Sequence, residues 1–172
     1  MNLLTHTYNI ITNLLPSRSH KFRKFILNAS GCRIASGVAI NYDVKVAGNA
    51  IEIKENTWLS IGSRLVASYN WNERIKIGRN CDIGPFVVIQ TGTHEIGSKQ
   101  RRAGKGKCLP ITVGDGTWIG ARATIMGGAN IGKGCIVGAG SLVLPGNYPD
   151  NTLLVGVPAK VKRNINEIQN EV

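Results

Sequence analysis

The stretch PITVGDGTWIGARATIMGGANIGKGCIVGAGSLV, from Pro110 to Val143, repeats a pattern every six residues. An aliphatic residue opens each repeat: Val113, Ile119, Ile125, Ile131, Val137 and Val143. A small residue follows four places later, and the even offset puts both positions on one side of a strand. Glycine often comes directly after the aliphatic residue, where we expect it to supply the bend of a corner. The period predicts short strands joined by corners and stacked as a solenoid.

The same period continues upstream, with interruptions. It is carried by Ile34, Ile40, Val46, Ile77, Ile83 and Ile89. Ile89 and Val113 are twenty-four residues apart, so we expect the register to survive the intervening loop, with Thr93 facing inward. Ile53 is one residue out of phase, which predicts an insertion near Gly48. The break at 68–74 predicts a short loop at a corner.

The repeat resembles that of the hexapeptide acyltransferases. The block from Pro110 to Val143 and the later VGVPAKVKR, from Val155 to Arg163, are similar to the sugar and polysaccharide O-acetyltransferases of that superfamily. The resemblance covers roughly residues 31–163. It implies an all-β fold, a left-handed parallel β-helix with three hexapeptides per coil. It also implies a homotrimer with active sites between subunits.

The two ends of the chain predict helices. We expect an N-terminal helical cap over 1–30, a β-helix domain over 31–163 with loop 95–110 extruded, and a C-terminal helix or tail over 164–172. The first helix has an apolar stripe: Leu3, Leu4, Ile10, Ile11, Leu14 and Leu15. We expect these helices to cover the open end of the solenoid. Peripheral contact with an acidic membrane face is a compatible role, because basic residues follow and no acid precedes Asp43.

Composition narrows the classes of function. The 172 residues suit one domain, and no run is long and apolar enough to span a membrane. The four cysteines form neither a disulfide framework nor a metal motif, which favours a cytoplasmic protein without a metal. The net charge of +11 lies in the N-terminal helices, the 95–110 loop and the C-terminal segment. Without interleaved aromatic residues, it favours phosphate-bearing small molecules over nucleic acid.

His94 is the candidate catalytic residue. It stands where the repeats stop and the loop HEIGSKQRRAGKGKCLP begins, and the resemblance implies a catalytic histidine there. A neutral imidazole can accept the proton of a sugar hydroxyl as that hydroxyl attacks the thioester of acetyl-CoA. Glu95 or a backbone carbonyl is expected to orient the ring. The basic loop is either a solvated segment or an arm over the neighbouring subunit's site.

The resemblance also implies contacts to coenzyme A. Those predicted along the pantetheine arm are Trp118, Gly120, Ala121 and Ala139. The C-terminal segment adds Gly156, Ala159, Lys160 and Arg163, of which the two basic residues are predicted near the phosphates. Many relatives have Thr-Lys-Asp after the last valine of the repeat, whereas this chain has Leu144-Pro145-Gly146. Lys133 is a candidate to replace that lysine.

The acceptor is less constrained by the sequence. Tyr69, Asn70 and Trp71 in the upstream loop, with Glu95, are candidate acceptor contacts. The predicted function is acetyl-CoA-dependent O-acetylation of a sugar in a surface polysaccharide, such as capsule or lipopolysaccharide, or in its precursor. The alternatives are N-acetylation of a nucleotide-linked amino sugar and acetylation of serine or a xenobiotic. A non-enzymatic or carbonic-anhydrase-like scaffold is disfavoured, because a metal site needs several histidines in the coils.

Overall fold

The computed structural model describes residues 3–165, and the chain in this range is built mainly from three parallel β-sheets. Sheet I contains β1 (Arg33–Ile34), β4 (Ile51–Ile53), β7 (Ile75–Ile77), β12 (Ile111–Val113), β15 (Ala129–Ile131) and β18 (Gly146–Tyr148). Sheet II contains β2 (Ala39–Ile40), β5 (Trp58–Leu59), β8 (Asp82–Ile83), β13 (Trp118–Ile119), β16 (Ile136–Val137) and β19 (Thr152–Gly156), followed by β20 (Ala159–Asn164). Sheet III contains β3 (Lys45–Ala47), β6 (Arg64–Val66), β9 (Val88–Gln90), β14 (Thr124–Met126) and β17 (Leu142–Val143).

Consecutive strands visit sheets I, II and III in turn, so each coil has three sides and three corners. Val113 pairs with Ile131 eighteen residues later, which is three hexapeptides per coil. The aliphatic residue of every repeat stacks on its equivalent in the next coil. In sheet II this ladder is Ile40, Leu59, Ile83, Ile119, Val137 and Leu154, all fully buried. Burying each such side chain contributes roughly 1.5–3 kcal/mol, so the ladders hold the coils together.

The predicted interruptions of the period are confirmed. Ile34 pairs with Ile53, nineteen residues later, because of the extra residue near Gly48. Residues 68–74 leave the solenoid at a corner and include a 3-10 turn over Trp71–Glu73. Val113 pairs with Ile77 across the longer excursion, so the ladder is intact on both sides of it.

The role predicted for the glycines after the aliphatic residues is wrong. Gly114 and Gly120 are not among the residues with positive φ, which lie two residues further on at Gly116 and Arg122. A Cβ on Gly120 would instead lie 2.6 Å from the backbone nitrogen of Ala139 in the next coil. Glycine is therefore required there by the close approach of stacked backbones rather than by the bend.

The predicted loop 95–110 is a β-hairpin. Its strands, β10 (Gly92–Ile96) and β11 (Ala103–Cys108), pair in antiparallel fashion. The coil ends earlier than expected, at the buried Thr91, whose carbonyl accepts a hydrogen bond from the backbone of Leu109. The prediction that Thr93 faces inward is therefore wrong, since this half-buried residue already belongs to the hairpin.

Two helices, α1 (Leu3–Ile11) and α2 (His20–Ala29), pack on the first coil. Tyr8, Ile26 and Leu27 join the hydrophobic core there, and polar groups add specific contacts. The hydroxyl of Tyr8 donates to the Val44 carbonyl, and burial raises the Tyr8 pKa to about 12. The fully buried Arg23 donates five hydrogen bonds, four of them to backbone carbonyls in residues 12–17. These bonds satisfy the end of α1 and join it to α2.

The chain's other end closes with an antiparallel pair. β19 turns through a cis Val157–Pro158 bond into β20, which ends at Asn164. The C-terminal helix predicted from Asn164 falls almost entirely on residues 166–172, outside the described residues. Among the helices of the described part, none is long and apolar enough to cross a membrane.

Candidate active site

His94 lies on the stem of the hairpin, which leaves the corner between sheets III and I. It pairs across the stem with Gly106, and a Cβ on Gly106 would lie 3.8 Å from the Cδ2 and Nε2 atoms of His94. The imidazole therefore lies over a residue that has no side chain. His94 is exposed, so its ring can meet a ligand from the solvent side.

The group that orients His94 is not supplied by the described part of its own chain. Within residues 3–165, the ring nitrogens of His94 have no hydrogen-bond partner. Glu95 follows on the same strand and is exposed, and its carboxylate forms no hydrogen bond with the ring. Neither of the two orienting groups considered from the sequence is thus in place within residues 3–165 of one protomer.

The hairpin also concentrates positive charge. Its basic residues are all exposed: Lys99, Arg101, Arg102, Lys105 and Lys107. Glu95 is the one acid between residues 92 and 108. This arrangement attracts anions such as phosphates to the hairpin.

The predicted pantetheine contacts line a different corner, the one between sheets II and III. Gly120 and Ala121 lie directly below Ala139, with the Gly120 backbone donating to the Val137 carbonyl at 2.7 Å. Gly156 lies above Ala139 in the following coil and completes a column of small residues along this corner. Its backbone nitrogen donates to the Ser141 hydroxyl at 3.2 Å. Gly120, Ala121, Ala139 and Gly156 give this part of the II/III corner only small side chains, a smooth edge that a long, thin ligand can follow closely. Arg122 borders this edge: it is exposed, and its guanidinium lies 5.9 Å from the centre of the Phe86 ring one coil below.

The predicted phosphate contacts divide into two groups. Lys160 and Arg163 are exposed on β20, whereas the Ala159 side chain is buried. Lys160 pairs with Val155 beside the upper end of the II/III corner, while Arg163 pairs with Leu153, nearer the start of β19. Lys133 lies on a third corner, between sheets I and II, where its backbone nitrogen donates to Asp150 at 2.7 Å. The structure therefore does not bring Lys133 together with the II/III column.

A groove that the sequence reasoning missed lies on the outer surface of sheet II. Trp58, Asp82 and Trp118 are register neighbours on three successive strands, and they line a groove of about 350 Å³ with Ser60. Trp118 is exposed, as predicted, with 55% of its surface accessible. Trp58 and Trp118 each come directly before an inward-facing residue of the same sheet, a signal that becomes readable once the coils are aligned.

The upstream loop lies at the III/I corner, one coil below the hairpin. Two of its predicted acceptor contacts have structural partners: the Arg33 guanidinium lies 4.0 Å from the centre of the Trp71 ring, and the Asn70 side chain caps the 3-10 turn. Tyr69 is exposed. Of the three, Tyr69 is the one whose side chain is free to meet a ligand.

The buried thiols are poor candidates for a nucleophile. Burial raises the pKa of Cys32 to about 11 and also raises that of Cys81, so both stay protonated. Cys135 is fully buried. In residues 3–165, no group of three or more His, Cys, Asp or Glu side chains could hold a metal ion.

Comparisons with known proteins agree on one family. The profile of the bacterial transferase hexapeptide (six repeats) matches residues 110–145. The galactoside O-acetyltransferase of Escherichia coli is 33% identical over 120 residues, 70% of this chain and 57% of that protein. A putative acetyltransferase of Staphylococcus aureus is 40% identical over 134 residues, 66% of each chain. The chain spans little more than half the length of the first curated relatives it matches.

Solved structures resemble the whole fold. A galactoside acetyltransferase in complex with coenzyme A has a TM-score of 0.85 at 25% identity, covering 99% of this chain and 84% of that chain. A maltose O-acetyltransferase from Clostridium difficile has a TM-score of 0.64 at 26% identity, covering 95% and 86%. The protein is therefore a left-handed parallel β-helix, as predicted. It belongs to the superfamily of hexapeptide-repeat acyltransferases.

Proposed function

We propose that this chain is an acetyl-CoA-dependent O-acetyltransferase. Its acceptor is a sugar hydroxyl in a surface polysaccharide or its precursor, and its working form is a homotrimer. The similarity to a galactoside O-acetyltransferase and to a galactoside acetyltransferase in complex with coenzyme A supports both the donor and a sugar acceptor. The observation that carries the proposal is the separation of His94 from the smooth II/III corner within one protomer.

That separation argues for a shared site. The hairpin with His94 leaves the III/I corner, whereas Gly120 and Ala139 lie on the II/III corner. About six residues of extended chain at roughly 3.3 Å each put these corners on the order of 20 Å apart. In a ring of three prisms, the hairpin of one protomer can lie against the II/III corner of its neighbour. His94 of one chain and the donor corner of the next then complete one site.

The donor follows the II/III corner. Its pantetheine arm lies along Gly120, Ala121 and Ala139, where the absence of large side chains permits close contact. Its phosphates reach the exposed Lys160 and Arg163 on β20, which suit them by charge and hydrogen bonding. The basic hairpin of the neighbouring protomer adds to the same positive field.

The acceptor occupies the groove on sheet II. A pyranose ring has an apolar face that can pack on Trp58 or Trp118, and its hydroxyls can donate to the carboxylate of Asp82. The groove begins at Trp118, which also borders the pantetheine corner, so it continues from the acetyl end of the donor. Tyr69 and Glu95, on the III/I side of a neighbouring protomer, are the remaining candidate contacts.

The reaction is a direct transfer. His94 accepts the proton of the acceptor hydroxyl while that oxygen forms a bond to the thioester carbonyl carbon. A backbone N–H stabilises the resulting oxyanion. When the carbon–sulfur bond breaks, the His94 imidazolium returns its proton to the departing thiolate. The products are the acetyl ester and free coenzyme A. A cytoplasmic location fits this donor.

The test is an acetyl-transfer assay with defined acceptors. The purified chain should release free thiol from acetyl-CoA faster in the presence of a hydroxyl sugar, and the product should carry a base-labile ester. Binding of coenzyme A, measured by calorimetry, should accompany it. A protein that neither binds coenzyme A nor transfers acetyl groups would be a scaffold instead, which would refute the proposal.

The same assay separates the alternatives by the acceptor that reacts. Transfer to an amino sugar on a nucleotide, giving a base-stable amide, would replace the proposal with N-acetylation. Transfer to serine or to an antibiotic with no reaction on sugars would replace it with those activities. Comparing glycans from cells with and without the protein then identifies the acceptor hydroxyl.

A further inference from the structure

The N-terminal helices present to solvent the apolar side chains that the sequence suggested would be buried. Thr5, Tyr8 and Thr12 are fully buried against the first coil. At about 100° per residue, Leu3 and Ile10 lie on the opposite side of α1. They are 76% and 58% exposed. The polar side of the helix thus packs on the solenoid, and the apolar side is left without a partner in the described chain.

The second helix continues the same surface. Arg23, Ile26 and Leu27 are its buried residues, while Phe22 and Phe25 are exposed. Because α1 packs on β3 and α2 packs on β1 and β2, both helices cover one end of the solenoid. Their free sides therefore point away from that end. This end patch comprises Leu3, Ile10, Leu14, Phe22 and Phe25, together with Arg18 and Lys21.

The charge of the end patch is of one sign. No acidic residue precedes Asp43, and Asp43 itself is paired with Lys45 at 3.7 Å and Arg64 at 3.1 Å. Arg18 and Lys21 are exposed among the apolar side chains. An interfacial helix that binds anionic lipid combines these two features: apolar residues that enter the acyl boundary and basic residues that meet the headgroups.

We propose that the end patch docks the protein on an anionic bilayer, with the solenoid axis pointing away from the membrane. In the proposed trimer, contacts run along the sides of the prisms, so the three end patches face the same way and bind together. Three weak contacts held in one plane bind far more tightly than one. The surface would hold the enzyme where membrane-borne glycan precursors are exposed. Vesicle binding itself does not depend on the proposed activity.

The experiment is flotation of the full chain with phosphatidylcholine vesicles, with or without about 30% phosphatidylglycerol to supply negative charge. Binding should require the anionic lipid and should weaken as salt rises. Ile10→Ser should weaken partitioning about tenfold, since it removes an apolar side chain that enters the bilayer. The matched control is Ile96→Ser, because Ile96 is an equally large apolar residue, 91% exposed, on the hairpin.

A second pair of variants distinguishes vesicle binding through the end patch from a general effect of the protein's net charge. Lys21→Glu and Lys99→Glu change the net charge equally, but Lys99 lies on the hairpin. Only Lys21→Glu should weaken binding severalfold if the end patch meets the membrane. Equal losses in both, or no binding of the wild type to anionic vesicles, would overturn the proposal.

Measuring the oligomeric mass in solution tests the alternative that a second copy of the chain, rather than a membrane, covers the end patch. If Ile10→Ser lowers the oligomeric mass, the end patch is a contact between copies of the chain and the membrane proposal is wrong. Acetyl transfer to a soluble acceptor should be the same in Ile10→Ser and the wild type. If neither protein transfers acetyl groups while vesicle binding follows the expected pattern, the proposed function fails and the docking surface stands.

Discussion

The III/I and II/III corners of the solenoid are built from the same repeat but differ in what they carry. The III/I corner extrudes the 68–74 loop and the hairpin with His94. The II/III corner has no such excursion and keeps a tight column of small residues, which includes Gly120 and Ala139, beside Arg122. Insertions at one corner leave the ladders intact, as the pairing of Ile77 with Val113 demonstrates. In the proposed enzyme, one corner supplies the base and the other holds the donor.

The largest effect is expected from His94→Ala. Removing the base should lower kcat by about 10²–10⁴-fold, the usual contribution of a positioned general base. Because His94 is exposed and makes no hydrogen bond within the described chain, the melting temperature should stay unchanged. The control is His6→Ala, another exposed histidine. If His94→Ala kept near-wild-type turnover, the III/I corner would not supply the catalytic base.

The next effect concerns the donor corner. Ala139→Trp fills the smooth edge with an indole and should raise the KM for acetyl-CoA by at least about tenfold, the cost of displacing a ligand group from a close contact. Ala139 is exposed, so the fold should tolerate the change. The matched variant is Lys133→Trp on the I/II corner, which should leave this KM alone. Equal effects would mean that the II/III corner is not the donor site.

An intermediate effect is expected in the groove on sheet II. Trp58→Ala should raise the KM for the sugar acceptor roughly tenfold with a smaller change in kcat, because it removes a stacking surface. Trp71→Ala is the comparison, since the Trp71 ring already packs against Arg33. If Trp71→Ala raises the acceptor KM and Trp58→Ala does not, the acceptor lies against the 68–74 loop instead.

The smallest effect should come from the basic residues on β20. The double variant Lys160→Ala, Arg163→Ala should raise the KM for acetyl-CoA only severalfold, since exposed ion pairs contribute about 1 kcal/mol or less each. The same assay with acetyl-dephospho-CoA tests the assignment. If these residues meet the 3′-phosphate, the wild type should lose affinity for this donor and the variant should not. If the double variant still prefers acetyl-CoA to acetyl-dephospho-CoA as strongly as the wild type does, the 3′-phosphate binds to other residues.

Much of the fold follows from the sequence because a hexapeptide period has few physical solutions. The inward positions other than Thr93, the insertion near Gly48 and the register across the hairpin were predictable, since each depends on spacing along one chain. The role of Gly120 could not be predicted, because the backbone that approaches Gly120 belongs to Ala139 in the next coil. Spacing within one repeat contains no information about such contacts between coils.

The site and the cap were harder to predict for the same reason. Trp58, Asp82 and Trp118 become neighbours only when three coils are aligned. In the cap, an apolar stripe usually marks the buried side of a helix. Here the buried side of the cap contains Tyr8 and Arg23, which form specific hydrogen bonds to backbone carbonyls, and Ile10 is exposed. Composition cannot reveal bonds that depend on where distant carbonyls point.

The central claim, that each site joins the III/I corner of one protomer to the II/III corner of another, is tested most directly by mixed trimers. Assayed at acetyl-CoA well below the wild-type KM, His94→Ala chains should be nearly inactive alone, and Ala139→Trp chains should be at least about tenfold less active than the wild type. Unfolded together and refolded as a mixture, they should recover about a quarter of wild-type activity, because a shared site is intact when each neighbour contributes its undamaged corner. If each site lay within one protomer, every chain would carry a defect and mixing would restore nothing.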